Sequence, residues 1–303
     1  MSGACSSRSA RNRSNAMAGL VLGIGHASKV IRTNLQTIAV SRKSGLMIPG
    51  PEVAMTVYLV LILTGLGAGA LNAVAGGGTF LSFPALVWTG VPPIMANATA
   101  TLAALPGYLG SAWAFRADVR RARSLPVRLV LLVSALGGIL GAVLLLVTPS
   151  AVFSGVVPWL LAFATAAFAF GPPITRRIAR MGKGTFGLPQ AAAVLLAVAI
   201  YGGYFNGGVG ILLLAAFGLI GLTDLREMNG LKNLVSSVLS AVSVTVYIAA
   251  DLIAWKEALV LGAASAIGGY IGAALSRRIH NVRAFRAFIA LVGASMSLVF
   301  FLR

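Results

Sequence analysis

The chain has 303 residues, of which 58% are hydrophobic and only 10% charged, with a mean hydropathy of +0.92 and a net charge of +18. Soluble domains carry roughly a quarter charged residues, so this composition excludes an ordinary soluble domain and indicates an integral membrane protein. The basic residues fall in a few short loops, which speaks against nucleic acid as a partner and fits the way loop charge sets orientation in a lipid bilayer. Cys5 is the single cysteine, so there is neither a disulfide framework nor a cysteine metal site.

Residues 1–52 differ from the rest. Through residue 51 they hold seven Lys or Arg and no acid, with one weak apolar patch. This stretch reads as a disordered basic extension, or as sequence upstream of a true start at Met47 or Met55.

Beyond it, apolar segments are expected at 53–75, 78–91, 97–115, 127–147, 153–170, 188–206, 208–222, 229–250, 256–275 and 285–302. Most approach the roughly 20 residues needed to cross a hydrocarbon core of about 30 Å. Segments 78–91 and 208–222 are too short to span comfortably, and each directly follows a glycine break. Those breaks are Gly76-Gly77-Gly78 and Gly207-Gly208. All four tryptophans (Trp88, Trp113, Trp159 and Trp255) fall near segment ends, where interfacial anchors belong.

The halves repeat at a single offset of 131 residues, which sets Gly76-Gly77 on Gly207-Gly208 and Gly90 on Gly221. The same offset sets Gly137-Gly138 and Gly141-Ala142 on Gly268-Gly269 and Gly272-Ala273. Several coincidences at one spacing indicate duplication. The chain therefore divides into membrane repeat 1 (53–171), a basic loop (172–187) and membrane repeat 2 (188–303).

Loop charge gives an orientation. The loops at 116–128, 171–187 and 276–286 are rich in Arg and Lys and are assigned to the cytoplasm. Loop 148–152 is uncharged, and loop 251–257 has two acids against one lysine, so both are assigned outside. By parity, segment 97–115 then runs inward and its counterpart 229–250 outward. The expected fold is an all-α polytopic membrane protein of two inverted repeats, each a glycine-broken hairpin plus three transmembrane helices. This places residue 53 outside, where a basic tail is disfavoured.

Glycine breaks allow tight turns and close backbone approach, and a helix restarting after one presents free N–H groups that favour an anion. Paired breaks in corresponding places mark a transporter's binding site. Asn72 and Asn206 precede the two breaks and are candidate ligands. Asn97, Thr99 and Thr101 open the third segment, and Asn229, Lys232 and Asn233 open its counterpart. Asn97 and Asn229 are placed to cap helix starts, whereas Thr99 and Thr101 lie deeper. An ammonium inside a membrane segment is costly, so Lys232 either faces a cavity or snorkels to the interface a turn away. The GxxxG pairs Gly137/Gly141 and Gly268/Gly272 lie inside full-length spans and read as helix packing. Gly65-Leu-Gly-Ala-Gly-Ala70 lacks the strand–turn–helix context of a nucleotide loop. His26 and His280 are isolated, and there is no catalytic constellation, metal-ligand spacing or cofactor motif.

Leu66-Gly-Ala-Gly-Ala-Leu-Asn-Ala-Val-Ala-Gly-Gly-Gly-Thr-Phe-Leu-Ser-Phe-Pro-Ala-Leu86, Gly90-Val-Pro-Pro93 and Ala96-Asn-Ala-Thr-Ala-Thr101 resemble the TauE/SafE sulfite exporter family. Gly202-Gly-Tyr-Phe-Asn-Gly-Gly-Val-Gly210, Gly221-Leu-Thr-Asp224 and Met228-Asn-Gly-Leu-Lys-Asn-Leu234 resemble its second repeat. The resemblance covers residues 53–303. It implies a bacterial inner-membrane permease for sulfite, organosulfonates or related small anions, with no cofactor. Two departures bear on the substrate: Ala100 stands where Asn is usual, and Asn206 where a small residue is common. The alternatives are an uptake permease or channel for another small anion or metabolite and, further off, a membrane-embedded enzyme. Nothing in the residues selects between proton and sodium coupling, or indicates an oligomeric state.

Overall fold

The computed structural model describes residues 51–302 apart from 75, 117–118, 120–125, 181–186, 223 and 277–281. The basic extension falls almost wholly outside the described residues, as do His26, His280 and much of the three basic loops. Every element described is helical: α1 (Pro51–Val74), α2 (Thr79–Trp88), α3 (Pro93–Ala114), α4 (Val127–Val147), α5 (Ser150–Arg180), α6 (Leu188–Tyr204), α7 (Val209–Ile220), α8 (Leu225–Ala249), α9 (Trp255–Ser276) and α10 (Val282–Phe301). Each apolar segment read from the sequence corresponds to one of them. The largest difference is α5, expected to end at 170 but continuing to Arg180 in spite of Gly171, Pro172 and Pro173. The first part of the stretch read as loop 172–187 is therefore helix.

The solvent for which these helices are built is visible in α4. Leu132, Leu136, Leu140 and Leu144 face outward, while Gly137, Gly138, Gly141 and Ala142 are buried. Leucine outside and glycine inside reverses a soluble helix and suits lipid, where association comes from close packing of small residues. Among the described residues, four helical stretches are individually long and apolar enough to cross a membrane: Met55–Ala73, Val127–Val147, Ser150–Ala167 and Arg226–Ala249. The last is 61% buried against 33–39% for the others, which makes α8 the interior helix.

The short helices stop for a local reason that recurs. After α2, Gly90 has φ +90° and Val91 N–H reaches back to Leu86 O; after α7, Gly221 has φ +99° and Leu222 N–H reaches back to Phe217 O. Left-handed glycine with a bond spanning five residues is the common helix C-cap. At 10 and 12 residues, α2 and α7 are roughly 15 and 18 Å long, about half a hydrocarbon core.

Helix pairing also recurs across the duplication. The most extensive contacts are α1 with α9 and α4 with α6, which exchange when 131 is added to the first repeat's positions. Both seams are glycine seams. A β-carbon on Gly69 would stand 1.9 Å from Ser265 O, and one on Gly268 would stand 2.1 Å from Leu66 O. Likewise a β-carbon on Gly141 would stand 2.2 Å from Ile200 O. The GxxxG pairs are thus packing positions, and Gly65–Ala70 is ordinary helix against α9. Residue numbers rise together along each seam: Leu66 lies beside Gly268 and Ala70 beside Gly272, while Gly137 lies beside Ala199 and Gly141 beside Gly203. At the centre, Gly230 near the start of α8 sits against Phe115 and Val119 beyond the end of α3.

Candidate functional site

At the first break, α1 closes with Gly76 N–H on Leu71 O at 3.1 Å, and Gly76 takes φ +77°. Asn72 Oδ1 then accepts the Gly78 N–H at 2.7 Å, so Asn72 folds the turn from within. The first intrahelical bond of α2 comes from Phe80 to Gly77 O. At the second break Gly208 takes φ +73°, and the first bond of α7 comes from Ile211 to Gly208 O. The Val209 and Gly210 N–H groups therefore precede the ladder, at the positive end of the helix.

These two breaks, 131 residues apart in the chain, touch in the fold. A β-carbon on Gly210 would lie 3.0 Å from Gly76 O and 3.1 Å from Gly76 Cα. Lys232 stands beside both. Its Nζ is 3.4 Å from where a β-carbon would project on Gly76, and its Cδ is 3.3 Å from the same point on Gly210. The side chain is 1% exposed and Nζ has no hydrogen-bond partner. The lysine is thus buried beside the two breaks rather than exposed at its helix end. An ammonium inside a membrane segment is costly, and no hydrogen-bond partner of Nζ offsets that cost.

At the second break the backbone carbonyls are hydrogen-bonded by side chains. As α6 ends, its freed carbonyls would form a partly negative rim, but side-chain donors occupy them. Tyr247 OH donates to Gly203 O, Asn97 Nδ2 to Tyr204 O at 2.9 Å, and Tyr201 OH to Gly207 O at 2.7 Å. Those three carbonyls are thus satisfied from within the protein. On the other side, Phe80 packs against Gly208, and Phe83 and Phe205 meet edge to face at 5.6 Å between ring centres.

Below Lys232, the interior face of α8 is polar. Lys232, Ser236, Ser240 and Ser243 follow at helical spacing and are all buried, with Asn233 and Ser237 alongside. Ser243 donates to Gly138 O and Ser237 to Asn233 O, whereas Ser236 Oγ and Asn233 Oδ1 have no partner. Asn206 makes a long 3.5 Å contact to Ser240 Oγ and leaves its own Oδ1 unpartnered. Sequence reading took Lys232 and Asn233 but passed over these serines. The usable signal was their four-residue spacing from Lys232 inside an otherwise apolar helix.

Other candidate residues have structural partners. Thr99 Oγ1 accepts the Ala254 N–H at 3.0 Å, tying α3 to the start of α9, and Thr101 donates back to Asn97 O at 2.8 Å. Asn97 and Asn229 do not cap their helices as expected. α3 begins at Pro93 and α8 at Leu225, where Asp224 accepts the Arg226 N–H at 2.8 Å, so both asparagines lie in the second turn. Asn97 is instead fully buried with its Oδ1 unpartnered, and Asn229 is half-buried. A crevice of about 660 Å³ lies elsewhere, between the α2–α3 turn, the first turns of α5 and the end of α10, lined by Val91, Pro92, Pro158, Trp159 and Phe300. It shares no residue with the Lys232 cluster.

The model of the family described as sulfite exporter TauE/SafE matches residues 61–300. The chain is 30% identical over 234 residues to a probable membrane transporter protein of Haemophilus influenzae, covering 73% of this chain and 86% of the relative. It is 28% identical to probable membrane transporter protein ORF9 of a Sinorhizobium species, covering 73% and 84%. It is 26% identical over 244 residues to probable membrane transporter protein YfcA of Escherichia coli K12, covering 78% and 87%. No solved structure matches the chain. Lipid-facing helices, duplicated glycine breaks and these matches lead to one assignment: the chain is a multi-pass membrane transporter and belongs to the sulfite exporter TauE/SafE family.

Proposed function

We propose that this transporter is an inner-membrane permease for small anions, with sulfite and organosulfonates as the leading substrates, working by alternating access at a site between the two glycine breaks. The observation that carries the reading is the convergence of Gly76, Gly210 and the unpartnered Lys232 ammonium at one buried point. An anion there would meet the lysine, two helix starts and neutral donors.

The inverted arrangement is part of the proposal. Supporting it, α1 and α9 run in register, as do α4 and α6, while the end of α3 meets the start of α8, its own counterpart. A two-fold axis in the membrane plane would relate the halves in this way, with the basic loops on the cytoplasmic side. Each hairpin would then enter from its own side, and rocking of the halves would expose Lys232 alternately.

The test is flux of sulfite, organosulfonates and sulfate in proteoliposomes, with and without a pH gradient. Transport of at least one sulfur anion is expected, as is its loss in Lys232→Met with folding retained. Absence of flux for all of them refutes the sulfur-anion reading. Unchanged flux in Lys232→Met removes the lysine from the site.

A further inference from the structure

Among the described residues Lys232 is the one charged side chain in the buried interior. Asp224 and Asp251 are exposed and Glu227 and Glu257 half-exposed, so among the described residues no carboxylate shares the interior with it. The duplication could have supplied two cations, but the position 131 residues before Lys232 is Thr101, a neutral residue hydrogen-bonded to Asn97 O. Around the breaks every other polar contributor is neutral: Ser236, Ser240, Asn206, Asn233 and the tyrosines Tyr201 and Tyr247. The starts of α2 and α7 add oriented dipoles but no net charge, because each helix carries its balancing negative end.

We propose that the site selects its substrate by charge number, taking singly charged oxyanions of the sulfonate or hydrogen-sulfite type and rejecting dianions of the same shape. The inference rests on the anion-permease reading and deepens it. In a low-dielectric interior the cost of net charge grows with its square. The Lys232 ammonium gives the site one positive charge, and a monoanion brings the sum to zero. A dianion only exchanges one uncompensated charge for another, and so gains nothing from neutralisation.

The test uses wild-type protein in proteoliposomes with labelled methanesulfonate, whose single charge is fixed, and methylphosphonate as competitor. Methylphosphonate has nearly the same shape, with one charge at mildly acidic pH and two at alkaline pH. Methanesulfonate flux alone, over the same range, reads any titration of the protein itself. The expected result is competition at acidic pH comparable to unlabelled methanesulfonate, weakening at least about tenfold once the competitor is doubly charged. Equal potency across the range overturns this inference and leaves the permease reading standing. No methanesulfonate flux at any pH overturns both. In Lys232→Gln, transport should fall, and any residual flux should lose the charge preference. Should that variant fail to fold, the wild-type comparison decides alone.

Discussion

Alanine at Gly76 separates what the break does for folding from what it does for transport. Gly76 and Gly90 both sit at positive φ, +77° and +90°, so an added β-carbon imposes a backbone strain of about 1–2 kcal/mol at either position. Around Gly90 that carbon meets nothing within 4 Å. At Gly76 it lies 3.2 Å from Gly210 Cα and 3.4 Å from Lys232 Nζ, close enough that the neighbours must yield by a few tenths of an ångström. The methyl would also stand where an anion has to approach the ammonium. Gly90→Ala should therefore lower the thermal stability of the detergent-solubilised protein while keeping flux per folded molecule. Gly76→Ala should destabilise by a similar or somewhat larger amount and reduce flux at least about tenfold, since 1.4 kcal/mol on the barrier suffices for that. Sulfonate flux normalised to folded protein measures the difference. Wild-type flux in Gly76→Ala, or an equal loss in Gly90→Ala, would refute the placement of the substrate beside Gly76.

Three further outcomes follow from packing and pairing. Gly69→Val should prevent assembly, because its β-carbon would stand 1.9 Å from Ser265 O on α9, whereas Gly107→Ala on α3, with open space around it, should be neutral or stabilising by up to about 1 kcal/mol; folded yield in membranes reports both. Tyr247→Phe leaves the buried Gly203 carbonyl without its donor and should cost about 1–3 kcal/mol, read as a lowered melting temperature, while Tyr58→Phe at a more exposed position should not. With Cys5 changed to serine, single cysteines at Met55 and Trp255 should label from one side of the membrane and one at Leu188 from the other; labelling of all three from one side contradicts the inverted arrangement.

Much of the fold was legible because it is written in local terms. Apolar runs of fixed length, punctuated by glycine and proline, give the helices within a few residues, and the glycines at 90 and 221 end α2 and α7 as left-handed caps. The caps of α3 and α8 were misread because both helices begin a turn earlier, one with Pro93 at its first position and the other behind Asp224. Thr99 could not have been assigned from its neighbours, since its partner Ala254 is 155 residues away. The site was half legible. Lys232 and the two breaks stood out as costly or unusual in lipid. The serine face of α8 did not, since serine in a membrane helix is inexpensive and often only bonds back to its own backbone, as Ser237 does.

The crossed pairing of α1 with α9 and α4 with α6 has a consequence for how such a protein is made. The glycine seams of each half are completed only by helices of the other. A product ending after α5 would carry the bare glycine face of α1, with Gly65 and Gly69 cut to fit a helix not yet synthesised. During translation, α1 must wait in the bilayer until almost the whole chain has followed it.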